Sequence, residues 1–194
     1  MTCSAVDPKR LSAARRRVFL ALFIALAVSV HILEALLPSP IPWLRPGLAN
    51  GMTLVALYLY DGHAAWSVSL TRVGIGALLL GRLFSPGFWL ALAGALAATA
   101  VMVLLHGGAG RRLSPIGVSV AGAASHVCGQ VLIARWLLLR HDALWQVLPP
   151  LLLFAVLSGI LTGWLATLLI DQICRHPAFQ VTPVGALDTE DRVG

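Results

Sequence analysis

Pro38-Ser-Pro-Ile-Pro-Trp-Leu-Arg-Pro-Gly-Leu-Ala-Asn-Gly51 lies between two strongly apolar segments and decides how the chain is divided. Its four prolines within nine positions remove backbone donors and bias the preceding residues away from helix, so a regular helix cannot run through it. Irregular backbone at membrane depth is tolerated only where it is buried in protein or lines a polar cavity. We therefore predict that Arg45 to Asn50 forms a short re-entrant or cavity-lining element at the edge of the functional site.

The composition is that of an integral membrane protein. Of the 194 residues, 58% are hydrophobic and 11% are charged, whereas about 25% of the residues of a soluble domain are charged. The formal net charge of +6 arises mainly from a basic run at the N-terminus, residues 9–17. Beside a long apolar segment, such a run is more typical of a topology signal than of a nucleic-acid interface. We expect contact with the lipid bilayer and none with nucleic acid.

The apolar segments predict an all-α, polytopic membrane bundle of about six transmembrane helices. Residues 1–15 are expected to form a disordered basic tail, residues 16–173 a single membrane domain and residues 174–194 a polar tail. The predicted helices are Arg16–Leu37, Leu48–Tyr60, Ala64–Phe84, Phe88–Leu105, Pro115–Leu139 and Leu151–Ile173, with residues 141–150 at the membrane interface. The second helix is short for a span of about 20 residues, so the sequence leaves open whether it crosses fully.

The basic residues predict the orientation of this bundle. Six crossings place both termini on one side, with nine basic residues on that side and four on the other. Because cytoplasmic loops carry an excess of Lys and Arg, we expect both termini to be cytoplasmic, in a bacterial cytoplasmic (inner) membrane.

Small residues recur at a spacing of four, which lets membrane helices approach closely. Ala21, Ala25 and Ser29 form such a stripe on the first helix, and Gly159-x-x-x-Gly163 forms one on the last. Packing within the bundle explains most of these positions, and a face that docks a partner membrane protein would have the same pattern. The stripe on the first helix is our candidate for partner docking.

Ionisable residues inside the spans are rare and usually face a cavity or a partner. Arg72 lies near the middle of its helix, and Glu34 is the natural partner of its charge. In a structural interpretation these two pair, while His126 and Gln130 satisfy backbone carbonyls. In a functional interpretation they line a ligand-binding pocket beside the bend, formed by Glu34, Arg45, Asn50, Arg72, His126 and Gln130. His31 shares a helix face with Glu34 and is the weakest candidate among the ionisable residues inside the spans, so it is not included in the pocket.

Several activities lack their sequence signals. The chain has no HxxxH, HExxH or CxxC spacing, so neither a metal site nor a disulfide framework is predicted, and the three cysteines are expected to be fillers or tail residues. No GxxxxGK[ST], GxGxxG or GxSxG occurs, so ATP hydrolysis, dinucleotide binding and serine hydrolysis have no support. We expect no catalytic residue and no cofactor.

Five short blocks resemble one family. Pro46-Gly-Leu-Ala-Asn50 is similar to the GLAN element of the heptaprenyl diphosphate synthase component I family, also called the Gx transporter family. Ser125-His-Val-Cys-Gly-Gln130 is similar to its AHNxGQ element, although Val127 stands where the family often has asparagine, which puts one polar contact in doubt. The remaining blocks are Leu70–Gly76, Leu83–Phe88 and Ser114–Ser119, and the likeness covers about residues 18–170.

The resemblance implies a six-helix protein similar to the S components of energy-coupling-factor transporters. In those, a small bundle binds a vitamin-like ligand, while a transmembrane coupling subunit and ATPases drive its release. The first helix docks the coupling subunit through an AxxxA stripe, which Ala21 and Ala25 match. The family's older name implies polyprenyl synthesis, but that chemistry needs a DDxxD motif holding Mg²⁺, and the membrane part has no adjacent acidic pair.

The resulting hypothesis is a non-catalytic, substrate-binding or translocating subunit for a small vitamin-like or isoprenoid-related solute. An accessory membrane subunit that recruits a soluble prenyl synthase or a redox enzyme is the main alternative. A solitary secondary transporter is the third.

Overall fold

The computed structural model describes residues 13–36, 48–108, 113–137 and 144–175. Regular secondary structure in these ranges is entirely helical, so the all-α prediction is confirmed there. The predicted re-entrant or cavity-lining element, Arg45 to Asn50, lies outside these ranges up to Gly47, and its remaining residues, Leu48 to Asn50, form the first turn of a regular helix, so the prediction of irregular backbone is wrong for them. The helices are α1 (Ala13–Leu36), α2 (Leu48–Leu59), α3 (Gly62–Leu79), α4 (Pro86–Gly108), α5 (Pro115–Leu137) and α6 (Leu144–Arg175).

The short helix α2 lies at the centre of the bundle and contacts each of the other five described helices. Its residues are buried almost without interruption from Ala49 to Leu59, with only Tyr58 partly exposed. A helix that is apolar on every side is stable only when it is surrounded. The surrounding helices follow the order α1, α3, α4, α5, α6, and the described parts of α1 and α6 do not touch.

Four of the described helices, α1, α4, α5 and α6, are long and apolar enough to cross a membrane. Their leucine, phenylalanine and tryptophan side chains are widely exposed on the outside of the bundle, which is the arrangement expected for a surface that faces lipid. By contrast, α2 has only 12 residues, and α3 has 18 and carries His63 and Arg72. The structure therefore supports a membrane protein with at least four candidate spans.

Polar caps fix the starts of three helices. The Asp61 carboxylate accepts from the backbone N–H of Ala64 at 2.7 Å at the start of α3, and it also pairs with Arg16 on α1 at 2.5 Å. The hydroxyls of Ser85 and Ser114 accept from backbone N–H groups in the first turns of α4 and α5. Each serine is followed by a proline, which suits the first position of a helix because that position needs no donor.

The C-terminus of α3 is earlier than predicted. Gly81 adopts a left-handed conformation with φ +63°. Its N–H donates to the carbonyl of Leu78, and the N–H of Arg82 donates to that of Ala77 at 2.9 Å. These two hydrogen bonds form a Schellman motif, which ends a helix at a glycine. The prediction that the helix continues to Phe84 is wrong for this reason.

The start of α6 is also earlier than predicted. The helix begins at Leu144 and contains Pro149 and Pro150, so the prediction that it begins at Leu151 is wrong, while the location of residues 144–150 at the membrane interface stays a prediction. Proline is tolerated inside membrane helices where neighbouring groups satisfy the freed carbonyls. Trp145 in the first turn of α6 is exposed, and the Arg135 guanidinium lies 5.5 Å from the centroid of its ring.

The described cysteines behave differently from each other. Cys128 is a free, exposed thiol, as expected for a filler residue. Cys174 near the end of α6 is disulfide-bonded, so the expectation of unpaired cysteines is wrong at that position.

Close backbone contact joins α5 and α6. A Cβ atom added to Gly159 would lie 2.8 Å from the Cα of Val120, and one added to Gly163 would lie 2.8 Å from the Cα of Ile116. Both distances are shorter than non-bonded carbon atoms tolerate. The glycine pair predicted to allow close packing therefore does so within the chain.

Gly163→Ala should lower the stability of the bundle by about 1–3 kcal/mol, because the added methyl group overpacks the contact with α5. Gly74→Ala is the matched control, since a Cβ at Gly74 meets nothing within 4 Å. The control should leave stability unchanged or raise it by up to about 1 kcal/mol, the difference in helix propensity. Thermal unfolding in detergent, followed by circular dichroism, measures both. Equal unfolding temperatures for the two variants would contradict the close approach of α5 and α6.

Candidate functional site

Arg72 is the centre of the candidate site. It lies near the middle of α3 and is only 4% exposed. Ser69 and Gly76 are buried on the same face of α3, as the spacings of three and four residues require. The Nη2 group of Arg72 donates to the amide oxygen of Asn50 on α2 at 2.7 Å. The central helix thus holds the guanidinium with a neutral acceptor.

Glu34 is the acidic residue whose charge acts on Arg72. Its side chain, on α1, is 6% exposed, and its carboxylate interacts electrostatically with the guanidinium. A buried ion is stable in a medium of low dielectric only when a charge of opposite sign compensates it. The predicted association of Glu34 with Arg72 is consistent with this arrangement, which is close to electroneutral.

Two histidines pack against glycines on neighbouring helices. The ring of His31 on α1 covers Gly76 of α3, where an added Cβ would lie 2.5 Å from the ring atom Cδ2. The ring of His126 on α5 covers Gly94 of α4 in the same manner, at 2.7 Å from Cε1, and hydrogen-bonds the backbone there. Any side chain at either glycine would displace an imidazole, so these glycines define where the rings lie.

The two imidazoles belong to the same electrostatic environment as Arg72. The charges of Arg72 and of His31 both act on His126. We call Glu34, Asn50, Arg72, His31 and His126 the polar cluster; it joins residues of α1, α2, α3 and α5.

The polar cluster has unused hydrogen-bonding capacity. The Nε group of Arg72 and the Nδ1 atom of His126 are buried and have no hydrogen-bond partner within the part of the chain that the structure describes. An unsatisfied buried polar group costs about 1–3 kcal/mol. These atoms therefore mark a place where an additional polar group would be stabilised.

A second polar contact lies between α3 and α4. The hydroxyl of Thr99 donates to that of Ser69 at 2.8 Å, and both residues are fully buried. Sequence reasoning missed this pair, because hydroxyl residues are common in membrane helices. The available signal was the position of Ser69 three residues before Arg72, on the same face.

Two of the predicted ligand-binding residues are not part of the polar cluster. Arg45 lies outside the described residues. Gln130 on α5 is half-buried one turn beyond His126, and none of the contacts described for the cluster involves it. Conversely, His31, the weakest candidate and not included in the predicted pocket, packs into the bundle beside Gly76.

A small cavity of about 50 Å³ opens beside the polar cluster. It lies between α1, the end of α3 and the start of α4. Of the polar cluster, only His31 contributes to its wall. Its lining residues are His31, Val73, Ala77, Leu80, Arg82, Gly87, Phe88 and Ala91.

Within the described ranges, no group of three or more His, Cys, Asp or Glu side chains could hold a metal ion. The polar cluster instead combines one guanidinium, one carboxylate, one amide and two imidazoles. Such a set can donate to and accept from a polar molecule.

Comparison with known families identifies the chain. The profile of the heptaprenyl diphosphate synthase component I family matches residues 23–169. The chain belongs to this family. No curated protein and no solved structure matches it.

Three of the sequence blocks that resemble this component I family supply residues to the polar cluster. The block ending at Asn50 provides the amide, Leu70–Gly76 provides Arg72 and the glycine beneath His31, and Ser125–Gln130 provides His126. Blocks far apart in the sequence thus meet at one place in the fold. This convergence makes the polar cluster the strongest candidate site of the component I chain.

The predicted docking stripe lies on the outside of the bundle. Ala21, Ala25 and Ser29 are all exposed, and the Ser29 hydroxyl donates to the carbonyl of Ala25 at 2.9 Å. The stripe is therefore available to another membrane protein, and docking on it stays a prediction.

Arg72→Met should destabilise the component I chain by about 3–5 kcal/mol, because Glu34 is then a buried charge without compensation. Adding Glu34→Gln should recover most of this loss, since the double variant contains no buried charge at either position. Unfolding in mixed micelles measures the three variants in a double-mutant cycle. Arg17→Gln, at an exposed position on α1, is the control for loss of positive charge. If the two substitutions prove additive, Glu34 and Arg72 are not energetically coupled.

Proposed function

We propose that this component I chain is a membrane-embedded subunit that binds or translocates a small, partly polar solute and has no catalytic activity of its own. The observation that carries the proposal is Arg72, a guanidinium buried near the middle of α3 whose Nε group has no hydrogen-bond partner among the described residues. Buried charged groups in membrane proteins are expensive and are usually kept for function.

The chemistry of the polar cluster suggests what the solute contains. Arg72 and Glu34 are of opposite charge, so the cluster does not need an anion to be neutral. The cluster can donate further hydrogen bonds, because a guanidinium has five N–H donors and Asn50 accepts from only one of its nitrogen atoms. A solute rich in acceptor oxygen or nitrogen atoms, with an apolar body that suits the surrounding helices, fits best. Vitamin-like and isoprenoid-related molecules have this character.

The proposal includes a topology and a gating element. We propose six crossings, with α2 and α3 completing the four longer spans, in a bundle similar to an S component. Both termini would be cytoplasmic in a bacterial inner membrane, as the excess of basic residues on that side suggests. Helix α1 and the proline-rich stretch after it would open and close the site, with Arg45 and Gln130 as further ligands.

Native mass spectrometry of the gently purified protein tests solute binding directly. The wild-type chain should retain a small molecule, and Asn50→Ala should lose it, because Arg72 loses the acceptor that orients it. The Arg72→Met/Glu34→Gln variant should also lose it while remaining folded. Gly74→Ala, on the same helix but in open space, should retain it. Equal occupancy in the folded double variant and the wild type would refute the site.

The family to which the chain belongs favours a second function. Its description names a component of heptaprenyl diphosphate synthase, so the chain would be an accessory membrane subunit that recruits a soluble prenyl synthase. Co-purification separates the two proposals. A stable complex with a soluble Asp-rich enzyme, without a retained solute, favours the accessory function. A complex with a membrane coupling protein and ATPases favours transport.

Ala25→Leu tests whether the outer stripe of α1 docks a partner. The position is exposed, so the larger side chain should leave the fold and solute retention unchanged, while it prevents close approach of a second helix. We expect the membrane partner to be lost from affinity purifications. Leu26→Ala, an exposed position that follows Ala25 and lies about 100° round the helix from it, is the control. Undiminished recovery of the partner with Ala25→Leu would exclude this face.

A further inference from the structure

The cavity beside His31 carries an inference independent of the polar cluster. Its wall combines apolar side chains of α3 and α4 with one permanently charged group, Arg82. Arg82 is exposed, and no ion pair involving it is found among the described residues. An uncompensated cation beside an apolar cavity favours a ligand with a negative charge and a hydrocarbon part.

The size of the cavity limits what enters it. A buried water needs about 10–15 Å³ of such space, so about 50 Å³ accommodates a few waters or one small group. A phosphate group is of this size, whereas a whole amphiphile is not. The hydrocarbon part of a ligand would therefore lie outside the cavity, along the surface of the bundle.

An aromatic surface is present where that hydrocarbon part would lie. Phe84 follows the end of α3 and is 69% exposed. Its ring centroid is 5.9 Å from that of Phe88, which lines the cavity, and 6.4 Å from that of Trp89. Tryptophan is favoured at the level of lipid headgroups, and phenylalanine rings bury a large apolar area against hydrocarbon. The three rings thus continue the apolar wall of the cavity along the surface of the bundle.

The backbone of Phe84 is strained. Its φ of +63° lies in the left-handed region, which costs a residue with a Cβ about 1–2 kcal/mol. Such strain persists where the position has a function. Glycine would fit the turn better, so packing of the fold alone does not explain a large aromatic residue at this position.

The start of α4 does not itself provide the anion site. The N–H of Phe88 donates to the carbonyl and the hydroxyl of Ser85, and the N–H of Trp89 donates to the same carbonyl. The cationic group available to a ligand is therefore Arg82.

We propose that this cavity binds the phosphate group of an amphiphile, with Arg82 contacting the phosphate and with Phe84, Phe88 and Trp89 contacting the hydrocarbon chain. The ligand could be a lipid of the surrounding bilayer, or the same pocket could take up phosphate from solution. This site is separate from the polar cluster and does not rest on solute binding there.

The test uses the full-length protein in nanodiscs of phosphatidylcholine, with and without phosphatidylglycerol. Native mass spectrometry after release from the nanodisc measures retained phosphatidylglycerol. Arg82→Gln should lower retention about fivefold, the effect of one cation near an anionic lipid surface. Arg82→Lys should restore most of it, and Arg17→Gln, exposed near the start of α1, should change it little. Circular dichroism verifies the fold of each variant.

A second arm identifies the source of the phosphate. Inorganic phosphate is titrated into the protein in phosphatidylcholine nanodiscs, and binding is measured by calorimetry. Retained phosphatidylglycerol that depends on Arg82 supports the site with a lipid as ligand. Calorimetric binding of phosphate that depends on Arg82 supports the site with a free anion. If Arg82→Gln and Arg17→Gln behave alike in both arms, the proposal is overturned.

Phe84→Gly tests the aromatic part independently of charge. Glycine relieves the left-handed backbone, so the melting temperature should rise while retention of phosphatidylglycerol falls. A rise in both quantities would overturn the proposal that this ring holds the hydrocarbon chain.

Discussion

The compensation of one buried charge is the constraint on which the arrangement of the helices depends. Arg72 lies where water is excluded, so its guanidinium must find both a counter-charge and acceptors inside the bundle. Glu34 from α1 provides the charge and Asn50 from α2 provides an acceptor. Satisfying Arg72 therefore brings the first three helices together at one depth. If the bundle opened between α1 and α3, the electrostatic contact between Glu34 and Arg72 would weaken, so the cluster opposes that motion unless a polar molecule replaces the lost contact.

The central position of α2 follows from a related constraint, the need to enclose a helix that is too short to span the bilayer. A helix of 12 residues is too short to span a bilayer of ordinary thickness by itself, but it can be enclosed by longer helices that face lipid. Enclosure explains why α2 is apolar on every side and why Asn50 in its first turn is buried at 7% exposure. On the five helices that surround α2, the outward-facing residues can be leucine and tryptophan, because lipid is as apolar as these side chains.

The sequence was sufficient to predict the helical class, the membrane character and the family, and two of the residues that it singled out, Arg72 and Asn50, are in contact. Each of these depends on composition or on residues whose burial is costly, and such signals are local. The boundaries of α3 and α6 could not be predicted as well, because they depend on a left-handed Gly81 and on Pro149 and Pro150 being accommodated within a helix. The packing of His31 on Gly76 could not be predicted either. A glycine in a membrane helix indicates the close approach of another helix. The sequence does not indicate which side chain of that helix will fill the space.

The two histidine–glycine contacts affect how easily neighbouring helices can slide against each other. His31 joins α1 to α3 over Gly76, and His126 joins α5 to α4 over Gly94. A glycine presents a flat backbone surface without a Cβ, so an imidazole can translate along it with less steric hindrance than against a branched side chain. His31 also lines the cavity beside Arg82. The polar cluster and that cavity therefore share one side chain of α1, so a shift of α1 against α3 would alter both of them.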